Sequence, residues 1–312
     1  IRRGWAGLVD TIRDKNADNS NNFQPLTEEI VNRAGRTGGT FLHTSRTNPS
    51  KVKLDRVPEH LRDKYKENVN DVTEEVLKNL DFIGLDGNGG RPHMMAVCQP
   101  SVPAYAATAL MNARKDPCRP ASLTLMGGPI DTRKSPTTVN DLAMERPLSW
   151  FRHNVIATVP MNYPGAGRKV YPGFLQLAGF MSMNLGNHML SHYELFKHLT
   201  VGDQDSANAT KDFYDEYRSV CDMTAEFYLQ TVEEVFQTHA IPNGTFRHRG
   251  ELVDLGAIRD TALLAVEGER DDISGIGQTK AALELATNLA QSKKHYHLAE
   301  GAGHYGIFNG SR

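Results

Sequence analysis

The chain places one reactive side chain at the junction of a short apolar run and an alanine-rich segment. Residues 94–99, which include Cys98, are predicted to form a strand, and residues 102–114 the helix that follows it. A nucleophile on a sharp strand-to-helix turn has its reactive atom exposed above the sheet. Strand and helix pass close together there, and the flanking positions hold Ala96 and Pro100. The alternative interpretation is a buried cysteine that ends a core strand.

Two later segments supply partners for such a nucleophile. The apolar run 263–266 leads into Gly268 and Asp271, and a short predicted strand precedes a loop that presents His304 between glycines. The order nucleophile, acid, histidine, each following a strand, is typical of α/β-hydrolases. The sequence therefore predicts an α/β fold with a partial α/β-hydrolase sheet, at one edge of which the three side chains meet.

The segment from residue 91 to residue 312 resembles the intracellular polyhydroxyalkanoate (polyhydroxybutyrate) depolymerases. Four separate segments carry the resemblance in the right order, namely residues 97–103, 125–131, 266–273 and 303–306. The resemblance implies that Cys98 is the nucleophile, Asp271 rather than Asp272 the acid, and His304 the base. The hydrolase turn also implies that the backbone N–H of Gln99 binds the oxyanion.

The resemblance implies an activity, a substrate and a partner. We expect hydrolysis of poly-3-hydroxybutyrate ester bonds through a hydroxyacyl thioester, without a cofactor, on the polymer or its granule surface. Neutral His304 would take the proton of Cys98. A polyhydroxyalkanoate synthase, which also uses a Cys–Asp–His set, is one alternative. An inactive composite or a granule-binding protein is another.

A long interval separates two consecutive predicted strands of the sheet, residues 121–126 and 262–267. Residues 131–259 are mostly helical in pattern, and an interval of this length predicts a cap domain over the site. The segment 174–196 is rich in Met and Phe. Such side chains are suited either to contact with an apolar polyester or to packing in the interior of the cap. A further helix is predicted over residues 276–289.

The first 90 residues form a second unit and resemble an internal fragment of 6-phosphofructokinase. The resemblance rests on the Gly-Gly-Thr and Ser-Arg pattern of residues 38–46, and it implies that Arg46 approaches a phosphate. Helices are predicted at the amino terminus and over residues 69–80. A sugar-phosphate enzyme is therefore an alternative function, although the magnesium-binding and base-supplying loops of such kinases are missing.

Composition excludes several other classes. A net charge of −2 over 312 residues gives no electrostatic case for nucleic acid, and no apolar run reaches membrane-spanning length. With three cysteines and no secretory signal, a cytoplasmic protein is expected, and the depolymerase resemblance implies association with polymer granules. The pairs His188/His192 and His295/His297 lack a well-placed carboxylate, so packing roles and no metal site are predicted.

Overall fold

The computed structural model describes residues 5–14, 16–23, 52–84, 91–183 and 185–309. In the first part of the chain the elements are helix α1 (Trp5–Asp10), strands β1 (Val52–Lys53) and β2 (Val69–Asn70), and helix α2 (Thr73–Gly84). Helix α1 packs on α2, and their apolar side chains form a small core of their own.

Helix α2 begins and ends four residues later than the apolar spacing predicts. The structure starts the helix at Thr73 and leaves Val69 in strand β2, where its side chain is 51% exposed. Val72 and Val76 are buried as their spacing predicts. Asp71 accounts for the later start, because its carboxylate accepts the Thr73 N–H and offers the backbone a capping turn before the helix.

A buried carboxylate ties this first part together. Glu75 is paired with Arg13, at 2.7 Å, and with Lys64, at 2.6 Å. Burial raises the pKa of Glu75, but the bonds with Lys64 and Arg13 outweigh that effect and lower it to about 2. The Gly-Gly-Thr segment and Arg46 lie outside the described residues.

The second part begins with the predicted strand, turn and helix. Strand β3 (His93–Val97) runs through Cys98 into helix α3 (Ser101–Ala113), and strand β4 (Ser122–Met126) follows. The predictions for these three elements are confirmed to within two residues. Leu123 and Leu125 on β4 are fully buried.

Residues between β4 and the next long strand are mostly helical. The helices are α4 (Thr138–Glu145), α5 (Leu148–Asn154), α6 (Gly173–Met183), α7 (Leu185–Val201), α8 (Gln204–Arg218), α9 (Ala225–Thr231) and a π-helix (Val232–Gln237). The strands are short, namely β5 (Ala157–Thr158), β6 (Lys169–Tyr171), β7 (Met223–Thr224), β8 (Arg247–His248) and β9 (Glu251–Leu252). We refer to residues 138–237 as the helical cap.

The chain then returns to the sheet. Strand β10 (Ala262–Gly268), helix α10 (Ala281–Leu285), strand β11 (Lys294–Ala299) and helix α11 (Gly306–Asn309) follow in order. The predicted helix 276–289 is thus wrong in extent. Buried Glu267 accepts the N–H groups of Gly277, Thr279 and Lys280, which holds the first part of that stretch in turns.

Four parallel strands form the central sheet in the order β11-β10-β4-β3. The core lies on the helix-covered face, where Tyr105 of α3 is completely buried and donates to the Ala282 carbonyl of α10. Because the strands are parallel, their carboxyl ends meet at one edge. The architecture is a partial α/β-hydrolase fold in which β3, the strand that precedes Cys98, lies at the edge of the sheet as described.

Candidate active site

The turn after β3 has the strained backbone of a nucleophile elbow. Cys98 has a φ of 61°, in the left-handed region that non-glycine residues rarely adopt. Its N–H donates to the Met126 carbonyl at 2.7 Å, and its carbonyl accepts the Ser101 N–H at 3.0 Å. These bonds fix the turn between β3 and α3, so the sulfur stands at the carboxyl edge of the sheet.

The glycines after β4 allow the chain to pass close to this turn. A Cβ on Gly128 would lie 2.3 Å from Cβ of Ser101, and one on Gly127 would lie 3.1 Å from the His304 ring. Gly127 also has a φ of 54°. Thr279 holds the loop from the other side, since its hydroxyl bonds both the N–H and the carbonyl of Gly128.

Asp271 is the carboxylate that faces the histidine. Its Oδ1 accepts the N–H groups of Ile273 at 2.9 Å and Ser274 at 2.8 Å, which leaves Oδ2 directed at His304. The Oδ2–Nδ1 distance to His304 is 2.7 Å. The neighbouring Asp272 is exposed instead. The structure therefore brings Asp271, the residue selected from sequence, to the imidazole.

His304 is 5% exposed and electrostatically coupled to both partners. Burial lowers its pKa, but the hydrogen bond with Asp271, then the hydrogen bond and charge of Cys98, raise it to about 10. The imidazole is therefore protonated at neutral pH. An imidazolium beside the elbow would stabilise negative charge on the Cys98 sulfur, whereas the sequence analysis expected a neutral histidine that waits for the thiol proton.

The backbone N–H of Gln99 lies directly after the nucleophile. No protein acceptor takes this N–H among the residues that the structure describes, so it is available to a negatively charged oxygen. The side chain of Gln99 is engaged elsewhere: its Nε2 donates to Oγ1 of Thr231 in the cap at 3.0 Å.

The cap and the carboxyl edge of the sheet enclose a cavity of about 400 Å³ beside His304. Helices α7 and α8 contribute His188, Tyr214 and Tyr217, and the histidine loop contributes Tyr305. Burial is the main cause that raises the pKa of Tyr305 to about 12, with smaller contributions from Tyr217 and Cys98. The wall is thus largely aromatic, with Arg270 and Asp272 among its charged members.

Sequence reasoning missed the group that shapes the acid loop. Glu267 is buried, and besides three backbone N–H groups its carboxylate accepts the Tyr296 hydroxyl at 2.8 Å. These bonds fold residues 277–280 back under Asp271. In the sequence, Glu267 appears only as an acid between the apolar run 263–266 and Gly268, a pattern typical of the end of a strand.

The two histidine pairs named in the sequence analysis occupy packing and surface positions. His188 bonds the Tyr214 hydroxyl at 2.9 Å, and His192 packs against the same ring. His295 and His297 lie exposed on β11. Across the described ranges, no three His, Cys, Asp or Glu side chains form a group able to hold a metal ion. Equally, no helix there is long and apolar enough to cross a bilayer.

Solved structures with a similar chain path include a monoacylglycerol lipase from Paleococcus ferrophilus. It is 12% identical, with 76% of this chain and 70% of that chain covered and a TM-score of 0.36. An esterase domain of a Rhodothermus marinus protein is 9% identical over 86% and 66% of the two chains, with a TM-score of 0.34. The peroxisomal α/β-hydrolase Lpx1 of Saccharomyces cerevisiae is 12% identical over 77% and 56%, also with a TM-score of 0.34.

TM-scores of this size do not establish a shared fold. The fold is assigned from the order of the four parallel strands and from the turn at Cys98. The chain spans between 56% and 70% of the length of these three proteins. No curated protein matches the sequence. None of the comparisons supports the phosphofructokinase resemblance of residues 1–90.

A family model does match the larger part of the chain. The model described as the PHB de-polymerase C-terminus covers residues 127–312, which include Asp271 and His304 and begin after Cys98. The match includes the glycine loop after β4, the helical cap and both strands that precede the acid and the histidine. By this match, the chain belongs to the PHB depolymerase family.

Proposed function

We propose that this chain hydrolyses polyhydroxyalkanoate esters, with Cys98 as nucleophile, Asp271 as acid and His304 as base. The observation that carries the proposal is the buried bond of 2.7 Å between Asp271 and His304, on the side of the sheet where the elbow presents Cys98. A hydrogen bond from Cys98 and its charge both raise the pKa of the His304 imidazole, which supports the proximity of the two side chains.

The reaction begins with attack of the Cys98 thiolate on the ester carbonyl carbon. The C=O π electrons move to oxygen, and the Gln99 N–H stabilises the resulting oxyanion. As the carbonyl re-forms, the C–O bond to the leaving alcohol breaks, and imidazolium His304 protonates that oxygen. A hydroxyacyl thioester on Cys98 remains.

Hydrolysis of the thioester uses the same groups in reverse. Neutral His304 takes a proton from water, the hydroxide attacks the thioester carbonyl, and the C–S bond breaks. The thiolate of Cys98 is restored beside the imidazolium, and a hydroxy acid leaves. Asp271 keeps the ring in the tautomer and orientation that both steps require.

The surface of the cap supports a polymeric, apolar substrate. Helix α7 has no buried residue among those described, and an exposed stripe runs along one face. We call this stripe the apolar face of α7, and it consists of Leu185, Met189, Tyr193, Phe196 and Leu199, all between 46% and 67% exposed. The Met- and Phe-rich segment thus offers contact area to a polyester surface, in line with a granule-bound enzyme.

The test measures acid release from amorphous poly-3-hydroxybutyrate in a pH-stat. We expect release by the wild-type chain and a loss of about 10⁴-fold or more in Cys98→Ala. Equal release by both proteins would refute the proposal. Adding 3-hydroxybutyryl-CoA in parallel separates the synthase alternative, which would liberate free CoA thiol while the polymer stays intact.

A further inference from the structure

The residue after the nucleophile is connected to the helical cap by a directed hydrogen bond. Nε2 of Gln99 donates to Oγ1 of Thr231, at the last position of α9, at 3.0 Å. The Thr231 hydroxyl donates its own proton to the Phe227 carbonyl at 2.8 Å. Because that proton is committed, the hydroxyl oxygen can only accept from Gln99, and the direction of the bond is fixed.

This bond acts on the peptide group that the proposed mechanism uses. The Gln99 N–H belongs to the peptide group between Cys98 and Gln99, whose carbonyl, that of Cys98, accepts the Ser101 N–H at 3.0 Å. The next carbonyl, that of Gln99, accepts the Val102 N–H at 3.1 Å. The φ of 61° at Cys98 is a strained conformation that must be maintained by its surroundings. The bond to Thr231 is the contact by which the cap holds the Gln99 side chain.

The same cap segment also contacts the second loop beside the nucleophile. Residues 232–237, which follow Thr231, form a π-helix, a form often found at functional sites. Thr132, in the loop after β4, donates to the Val235 carbonyl at 3.4 Å and bonds Nδ1 of His239 at 3.1 Å. One stretch of the cap thus bonds the loops that follow β3 and β4.

We propose that Thr231 is a positioning residue for the oxyanion-binding N–H of Gln99. By holding the Gln99 side chain, it keeps the adjacent peptide group oriented toward the substrate carbonyl. This inference rests on the proposed function, because it assigns Thr231 to the same chemical step. It makes the cap part of the catalytic geometry in addition to its role as a wall of the cavity.

The test compares Thr231→Val, which keeps the shape of the side chain but cannot accept a hydrogen bond, with Thr231→Ser, which retains the hydroxyl. Removing one oxyanion donor costs about 10²- to 10³-fold in kcat, and displacing it costs less. We therefore expect kcat for a short hydroxybutyrate ester to fall about 10- to 50-fold in Thr231→Val, with KM within about twofold. Thr231→Ser should stay within about threefold of wild type.

A second readout separates positioning from general damage. The aldehyde 3-hydroxybutanal adds to the Cys98 thiolate, and the hemithioacetal oxygen takes the oxyanion position. Its affinity should fall by the same factor as kcat in Thr231→Val. Thr210→Val is the matched control: Thr210 also bonds a carbonyl one turn earlier, that of Ser206 at 3.1 Å, but lies in α8 away from the elbow.

Gln99→Leu removes the same bond from its other end and serves if Thr231→Val does not fold. It should reproduce the loss in kcat, and the double variant should lose no more than either single variant. An active wild-type chain with unchanged kcat in Thr231→Val, or in Gln99→Leu, would overturn the inference alone. A wild-type chain without Cys98-dependent hydrolysis would instead overturn the proposed function.

Discussion

Replacing Asp271 by asparagine changes one charge and one hydrogen-bonding group at nearly constant volume. In the structure, Oδ1 accepts the N–H groups of Ile273 and Ser274, and Oδ2 faces Nδ1 of His304. The new amide must keep its oxygen toward the two backbone donors, because an NH₂ group there would oppose them. Its nitrogen therefore faces His304 and donates to Nδ1, which places the imidazole proton on Nε2.

This change removes two contributions to catalysis. An imidazole protonated on Nε2 alone cannot accept the Cys98 proton. In addition, Asp271 is the largest of the groups that raise the pKa of His304, against burial, from 6.5 to about 10. A rise of that size corresponds to about 5 kcal/mol in favour of the protonated ring. Because the largest raising contribution is lost with the carboxylate, we expect kcat to fall about 10³- to 10⁴-fold.

Two assays measure the effect. Initial rates of acid release report kcat, and the rate of iodoacetamide alkylation at neutral pH reports the reactivity of the Cys98 thiol. In the wild-type chain, the charged ring of His304 should speed this alkylation. In Asp271→Asn, which lacks the largest contribution that raises the pKa of the ring, alkylation at the same pH should be slower.

Asp272→Asn is the comparison, since Asp272 neighbours the acid in sequence but does not bond His304. We expect less than about tenfold loss for this variant, the scale of an exposed charge near a site. The reasoning would be refuted if Asp271→Asn kept kcat within tenfold of wild type, or if the two variants lost activity equally.

Three further predictions concern stability and the surface. Gly128→Ala should lower the free energy of unfolding by about 1 to 3 kcal/mol in urea titrations, whereas Gly186→Ala, in open space on α7, should raise it by less than about 1 kcal/mol. The lowered pKa of Glu75 means that its contribution, about 3 kcal/mol, is present above pH 4.5 and lost as pH falls to about 2. Urea unfolding of the first part of the chain between pH 5 and pH 3 should therefore shift to lower urea in the wild type but much less in Glu75→Gln. Met189→Ser with Phe196→Ser should reduce sedimentation with polymer particles while hydrolysis of a water-soluble ester is unchanged, and an unchanged pellet fraction would contradict a role for the apolar face of α7.

Much of the sheet could be predicted because buried parallel strands appear in the sequence as apolar runs that end in turns. Strands β3, β4 and β10 were found in this way, and the order of Cys98, Asp271 and His304 follows from the strands that precede them. That Asp271 rather than Asp272 faces the imidazole follows from the family pattern. Periodicity alone does not distinguish the two carboxylates.

Other features depend on contacts between distant segments, which a local pattern does not contain. The turns that precede α10 exist because Glu267 captures three backbone N–H groups. The bond between Gln99 and Thr231 joins residues that are 132 positions apart. The raised pKa of His304 arises from its partners Asp271 and Cys98, against the effect of burial, so residue identity alone predicted a neutral base.

Strand β3 carries the nucleophile, yet within the described part of the chain it pairs with β4 alone. Its amide N–H groups should therefore exchange with deuterium sooner than those of β10, which is paired on both sides. If β3 frays, the Cys98 sulfur moves away from Asp271 and His304, because these residues follow β10 and β11 on the other side of β4. On warming, we expect turnover to be lost before the helices unfold.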